Sequence, residues 1–136
     1  MPVSIVRSVR FRAAHRYWRC DWSEAENHRI FGQYTRLHEH DWVLEVTASG
    51  ETDPATGFVL DLGALDALLE EVVGPLRESD LEEAIAEVRE GGMIPSTENL
   101  ARWAFERLAG RMPGTSRLVK VRVSESDGLA AEFSAP

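Results

Sequence analysis

The sequence has only one cysteine, Cys20, so no disulfide can form within the chain. Such scarcity is typical of proteins that work in a reducing compartment. The chain also lacks any apolar run approaching the roughly 18 residues of a membrane-spanning helix, and its first residues do not form the apolar segment of a secretion signal. We therefore expect a cytoplasmic protein that does not insert into a membrane.

Positive charge is scarce as well. The 15 Lys and Arg residues are outnumbered by 23 Asp and Glu residues, which gives a formal net charge of −8. Nucleic acids and anionic membrane surfaces bind proteins through clustered positive charge, so this balance argues against both as partners. The hydrophobic content of 43% is that of an ordinary globular protein, and the length predicts a single domain over residues 1–136.

Hydrophobic periodicity predicts an α+β domain whose four-stranded antiparallel sheet (order ββααββ) carries helices on one face. Alternating apolar side chains predict strands at residues 3–14, about 38–50, 118–125 and 129–134. The last two strands are joined by a tight turn, which predicts a hairpin.

Helical spacing of apolar residues predicts two core-facing helices. The first has a stripe of leucines and valine and ends or kinks at Gly74-Pro75; the second begins after Pro95 with a hydroxyl cap. An acidic, weaker helix is predicted at 79–90. The segment 16–36 has no clear period, and its aromatic residues suggest an irregular loop that covers something.

Two of the four histidines, His38 and His40, lie one residue apart at the start of the second predicted strand. Strand side chains alternate, so both point to the same face. His15 continues the apolar parity of the first strand and is the natural third member of the group. Three imidazoles with one open position are typical of catalytic zinc. The His-x-His pair alone is equally typical of surface or packing histidines.

Glu125 follows Val119, Val121 and Val123 in strand parity, which predicts a carboxylate on the buried face. A buried charge needs a partner. Either a lysine or arginine pairs with it, or water solvates it at the end of the strand, or the partner is a bound ligand with two adjacent N–H donors.

Five motifs in this order resemble the 6-pyruvoyl-tetrahydropterin synthase and 6-carboxy-tetrahydropterin synthase family over nearly the whole chain. The motifs are FRAAH at 11–15, LHEH at 37–40, GFVLDL at 57–62, PSTENLA at 95–101 and VRVSES at 121–126. The resemblance implies a tunnelling fold that assembles through edge strands, usually as a hexamer of two stacked trimers with sites at subunit interfaces.

The resemblance also implies a site. Zn²⁺ would be bound by three histidines, His15, His38 and His40. The small-molecule partner would be a reduced pterin. Glu125 would accept hydrogen bonds from the N–H groups of its ring. Ser96 and Thr97 would hydrogen-bond the same ring, although capping of a helix explains both residues equally well.

Three positions depart from the family pattern. Tyr34 stands where the synthases have a cysteine that acts as general base, Arg77-Glu78 stands where they have an Asp-His pair, and Glu39 replaces the glycine between the zinc histidines. The candidate replacements for the proton-transfer groups are Tyr34 first, then Glu78 and Cys20. His28, in the same loop as Tyr34, is interpreted as a surface residue.

The leading hypothesis is a zinc-dependent lyase of this family that acts on dihydroneopterin triphosphate or a related reduced pterin, with altered specificity or reaction. One alternative is a zinc-containing protein that binds a pterin or purine without catalysis. Another is a metal-dependent enzyme for a non-pterin substrate, in which the aromatic loop with Trp18, Trp22 and Tyr34 lines a different pocket.

Overall fold

The computed structural model describes residues 1–136, which form one sheet packed against helices. In chain order the elements are β1 (Val3–His15), α1 (Glu24–Phe31), β2 (His38–Gly50), α2 (Leu62–Val73), β3 (Ser79–Asp80), α3 (Leu81–Ala84), α4 (Ala86–Arg89), α5 (Thr97–Leu108), β4 (Arg117–Ser126) and β5 (Leu129–Ser134). Short 3₁₀ turns follow α1 and α2, at Gly32–Thr35 and Gly74–Leu76. Not one of the helices has the length and hydrophobicity that crossing a lipid bilayer requires.

The α+β class is confirmed, but the sheet has five strands rather than four, in the order β3-β1-β2-β4-β5. The four long strands pair antiparallel, as predicted. The additional strand, β3, has two residues and runs parallel to β1 opposite Ala13 and Ala14. Two residues are too few for an alternating pattern, so hydrophobic periodicity cannot detect such a strand.

The single acidic helix predicted at 79–90 is wrong, because this segment is divided into β3, α3 and α4. Asp80 ends β3 and caps α3 by accepting a hydrogen bond from the Glu82 N–H at 2.9 Å. Ile85 interrupts the helical path with an extended backbone and is only 1% exposed. Burial of this one side chain in the core therefore accompanies the break.

The prediction of an irregular loop at 16–36 is also wrong, since the segment contains α1 and a 3₁₀ turn. Ser23 caps α1 by accepting from the Glu26 N–H, and Gly32, with a φ of 56°, ends it. Asn27 is the only buried residue of α1, so the helix has no apolar stripe for periodicity to reveal. Its amide instead accepts from the Arg19 N–H at 2.8 Å and donates to the Arg19 carbonyl at 3.0 Å.

The parity of β4 differs from the prediction at one end. Leu118 is buried, whereas Val119 is only partly so. The pairing of β2 with β4 shifts register between Thr47 and Ala48, and such an irregularity reverses the faces on either side of it. Val121 and Val123 lie beyond the shift and are buried as predicted.

The pairing of β1 with β2 positions the histidines. His15 lies opposite His38, and Ala13 lies opposite His40. Trp42, two residues further along β2, is fully buried and donates its indole N–H to the Ala13 carbonyl at 3.1 Å. The ends of the two strands thus share a packed indole that lies directly beneath the histidine group.

Replacing Asn27 with leucine should lower the free energy of unfolding by about 1–3 kcal/mol, because the Arg19 N–H and carbonyl lose buried partners at similar side-chain volume. Urea denaturation of Asn27→Leu, followed by tryptophan fluorescence, measures the loss. Gln33→Leu is the control, since the Gln33 side chain is exposed and makes no hydrogen bond. Equal unfolding midpoints for the two variants would contradict the structural role of Asn27.

Candidate metal centre and cleft

Three of the four histidines meet where β1 ends and β2 begins. One ring nitrogen from each of His15, His38 and His40 lies within 4.8 Å of the others. The structure therefore brings together the three side chains that the sequence analysis selected as metal ligands.

The hydrogen bonds of these histidines show which nitrogen is available. Nδ1 of His15 lies 2.7 Å from the Pro95 carbonyl oxygen, and Nδ1 of His38 lies 2.8 Å from the Arg36 carbonyl oxygen. A carbonyl oxygen only accepts, so in both rings Nδ1 carries the hydrogen and Nε2 keeps its lone pair. Such carbonyl partners are the usual orienting groups of metal-binding histidines.

Two of the free nitrogens are buried without a partner, namely Nε2 of His15 and Nε2 of His40. Leaving a buried polar atom unpaired costs about 1–3 kcal/mol, so an explanation is required. A metal ion bound at this site would supply the missing partner for both. The donor set of three imidazoles fits zinc with an open position.

Burial also sets the protonation state of these rings. Desolvation lowers the pKa of His15 from 6.5 to about 4, against the opposing effect of the Pro95 hydrogen bond. Desolvation likewise lowers the pKa of His40. Both imidazoles are therefore neutral at pH 7, which is the form that binds a metal.

Glu125, near the end of β4, lies beside the histidines, and its side chain is 14% exposed. Its Oε2 accepts a hydrogen bond from the Thr97 hydroxyl at 3.0 Å and lies 3.8 Å from Nε2 of His15 and 3.7 Å from Nε2 of His40. No lysine or arginine pairs with it. A half-satisfied carboxylate that faces a cleft is suited to accept N–H donors from a ligand.

The two hydroxyl residues before α5 have different surroundings. Ser96 caps α5 by accepting from the Asn99 N–H at 3.1 Å. Thr97 is 1% exposed and donates to Glu125. Thr97 therefore orients the carboxylate of Glu125, while the hydroxyl of Ser96 caps the N-terminus of α5.

His38, His40 and Glu125 border a cleft of about 540 Å³, a volume typical of small-molecule sites. Its lining consists of Tyr17, Gln33, Tyr34, Arg36, Leu37, His38, His40, Glu125 and Leu129. The 3₁₀ turn after α1 and the start of β2 form one side, and the β4–β5 hairpin supplies Glu125 and Leu129.

Only one of the three candidate proton-transfer residues lies in this cleft. Tyr34 lines it, is 51% exposed and has its ring centroid 6.4 Å from that of His38. Cys20 borders a separate small cavity with Trp18. Glu78 is exposed and outside the cleft, with a positive φ of 55°, and its N–H donates to the Arg12 carbonyl.

The arginine beside Glu78 has a structural role. Arg77 forms a bidentate ion pair with Glu70, at 3.1 and 2.9 Å, and donates to the Arg10 carbonyl of β1 at 2.8 Å. The segment that stands in place of the family's Asp-His pair thus anchors the end of α2 to the edge of β1.

Glu39 lies on the sheet face opposite its flanking histidines, as strand alternation predicts. It pairs with Arg12 of β1 at 2.7 Å, and Arg12 also reaches Asp41 at 3.1 Å. Glu39 therefore contributes to the exposed face rather than to the cleft.

Tyr17 and Arg36 line the cleft but were missed by the sequence analysis. The Tyr17 ring lies edge-on to His15 with centroids 5.4 Å apart. Burial, aided by the carboxylates of Glu125 and Glu98, raises the pKa of Tyr17 to about 12, so the phenol keeps its proton. The parity of β1 continued past His15 would have selected Tyr17; no sequence signal distinguishes Arg36 from the other arginines.

Known proteins match nearly the whole chain. The family model described as 6-pyruvoyl tetrahydropterin synthase matches residues 4–136. The human 6-pyruvoyl tetrahydrobiopterin synthase is 32% identical over 126 residues, which cover 90% of this chain and 85% of the human protein. A dihydroneopterin monophosphate aldolase from Pyrococcus furiosus is 28% identical over 133 residues, which cover 98% of each protein.

The overall structure agrees as well. The solved 6-pyruvoyl tetrahydropterin synthase of Caenorhabditis elegans matches with a TM-score of 0.90 and 29% sequence identity, covering 100% of this chain and 97% of the nematode chain. The resemblance and the fold inferred from the five sequence motifs are thereby confirmed. This chain belongs to the 6-pyruvoyl tetrahydropterin synthase family.

Proposed function

We propose that this protein is a zinc-dependent lyase that acts on the C6 side chain of a reduced pterin, dihydroneopterin triphosphate or a relative, with a reaction or specificity that differs from the usual synthase. The observation that carries the proposal is the placement of Glu125 beside two buried, unpartnered imidazole nitrogens in one cleft. The names of the relatives, a synthase and an aldolase, support pterin chemistry.

His15, His38 and His40 would hold the zinc ion. When bound, zinc in such a site lowers the pKa of a coordinated hydroxyl group, which helps a proton to leave. The protein contributes the orientation of the rings: the Pro95 and Arg36 carbonyls fix His15 and His38, and Trp42 packs edge-on against His15 and His40.

Glu125 would hold the pterin ring. The guanidine-like edge of a pterin offers adjacent N–H donors, and a carboxylate accepts two of them at once. Because Glu125 is mostly shielded from water, these hydrogen bonds are stronger than they would be at the surface. The Thr97 hydroxyl keeps the carboxylate in place.

Tyr34 is the proposed proton-transfer residue, since it is the one candidate that lies in the cleft. A phenol near neutral pH donates a proton more readily than it accepts one. Burial raises the pKa of the second phenol, Tyr17, to about 12, so it also keeps its proton. A cleft with two phenols therefore favours donation to a leaving oxygen or carbon, and Cys20 and Glu78 would act only if another subunit or a rearrangement brought them close.

A binding protein without catalysis is the second candidate function. Arg77 joins α2 to β1, so the position where the family has its Asp-His pair has a structural role in this chain. That role favours binding without catalysis. A non-pterin substrate is the third candidate; Trp22 stacks on Phe31 within the loop instead of lining the cleft, which gives this candidate little support.

The proposal includes a cytoplasmic homo-oligomer, either a trimer or a hexamer. The edge strands support the assembly: β5 has no neighbour on one side, and β3 covers only two residues of β1. Such open edges are suited to pairing with another subunit.

Turnover of 7,8-dihydroneopterin triphosphate by the zinc-loaded protein, followed by mass spectrometry, tests the lyase. We expect a product with a shortened or rearranged C6 side chain. His38→Ala should lose zinc and product together, because one of three ligands is gone, whereas His28→Ala, which removes an exposed histidine, should keep both. Recovery of unchanged substrate from the wild type would support the binding protein instead.

Glu125→Ala should weaken the binding of neopterin by about tenfold to a hundredfold while zinc content stays the same, because charge-assisted hydrogen bonds to the ring are lost. Fluorescence titration gives the affinity and atomic absorption gives the zinc. Glu106→Ala is the matched control, since Glu106 is exposed and unpaired on α5. Unchanged affinity in Glu125→Ala would remove Glu125 from the proposed site.

A further inference from the structure

The carboxylate of Glu125 faces two imidazole nitrogens with no cation between them. Its Oε2 is 3.8 Å from Nε2 of His15 and 3.7 Å from Nε2 of His40, and both nitrogens are buried without a hydrogen-bond partner. In His15 the hydrogen is on Nδ1, which faces the Pro95 carbonyl oxygen, so Nε2 presents a lone pair to the carboxylate. A lone pair and a carboxylate oxygen repel each other, and a cation between them would replace this repulsion by attraction.

The two distances suit a shared metal ion. Zinc binds imidazole nitrogen at about 2.0–2.1 Å and carboxylate oxygen at about 2.0–2.2 Å, which in a tetrahedral site places two ligand atoms about 3.4 Å apart. The distances from the carboxylate, 3.7 and 3.8 Å, are only slightly longer. A small movement of one side chain would therefore make Glu125 a ligand of the same ion as the histidines.

Strand pairing does not prevent such a movement. The pairing of β2 with β4 ends at Val43 and Ser124, one residue before Glu125. On the other side, β5 pairs with Ser124 and Ser126 but skips Glu125, which indicates a β-bulge. Glu125 is thus outside both ladders, and its side chain has one hydrogen-bond donor, the Thr97 hydroxyl at 3.0 Å.

We propose that Glu125 is a fourth metal ligand in the ligand-free protein, and that a ligand with adjacent N–H donors opens the site by drawing this carboxylate away from the metal. The inference rests on the proposed function, because it takes that ligand to be a pterin ring held by Glu125. It adds a gate, in which the open metal position becomes available only when the ring is in place. Compounds that have hydroxyl groups but no such N–H donors would meet a metal whose four positions are filled.

Zinc affinity, measured by competition with a chromogenic chelator in the absence of any pterin, tests the fourth ligand. Glu125→Gln keeps the side-chain volume and an oxygen that can accept from Thr97, but its neutral amide is a poor zinc ligand. We expect the zinc affinity of this variant to fall at least about tenfold. Zinc in excess should still fill the site of three histidines, so the zinc content of the saturated variant stays the same.

Glu98→Gln is the matched control, because Glu98 is an exposed carboxylate that forms no hydrogen bond or ion pair with a histidine. Its charge acts on Tyr17 together with that of Glu125, so the control measures the effect of nearby negative charge without ligation. Its zinc affinity should fall by about twofold or less, since solvent and salt screen an exposed charge. Unchanged affinity in Glu125→Gln, or an equal loss in Glu98→Gln, would overturn the inference.

The visible absorption of the cobalt(II)-loaded protein tests the gate, because this spectrum reports the ligands and geometry of the metal. The probe is pterin without a C6 side chain, which can engage Glu125 but brings no hydroxyl group to the metal. Saturating pterin should change the spectrum of wild type and should lower its zinc affinity by about fivefold or more, since two partners that compete for one group weaken each other reciprocally. Neither change should occur in Glu125→Gln.

Failure of the proposed function gives a different result. If fluorescence titration shows no binding of pterin to wild type, the pterin assignment fails, while the zinc affinities of the variants still decide whether Glu125 is a ligand. If pterin binds to wild type but leaves both the cobalt spectrum and the zinc affinity unchanged, the pterin assignment stands and the gate is overturned.

Discussion

The antiparallel pairing of β1 with β2 is the constraint on which the site depends. It places His15 opposite His38 and sets His40 on the same face, so that three imidazoles from two strands converge. Trp42 fills the space below them and ties β2 to β1 through its indole N–H. A shift of one residue in this register would move His38 and His40 to the opposite face, where Glu39 now pairs with Arg12.

The unpaired polar atoms of this site indicate that it binds partners. Two imidazole nitrogens are buried without partners, beside a carboxylate that has only the Thr97 hydroxyl as donor. Such a group of unsatisfied atoms is destabilising in the free protein, and a metal ion and a ligand with N–H donors satisfy both deficits. The fold thus positions acceptors that suit a metal ion and a ligand with N–H donors, while Arg77 and Glu78 attach the segment after α2 to β1.

The features of the fold and site that follow from strand alternation are predictable from the sequence. His38, His40 and Glu125 were located by parity alone, and the long strands by their alternating valines. The sequence could not reveal α1, because its single buried residue, Asn27, is polar. Nor could it reveal β3, which has only two residues. The position of Arg36 in the cleft was equally hidden, because no sequence signal distinguishes it from the other arginines.

The most direct test of the central claim is a crystal structure of the zinc-loaded protein with neopterin bound. We expect one zinc ion held by Nε2 of His15, His38 and His40, with N–H groups of the pterin ring donating hydrogen bonds to Glu125. A metal bound elsewhere, or a pterin whose ring lies away from Glu125, would contradict it.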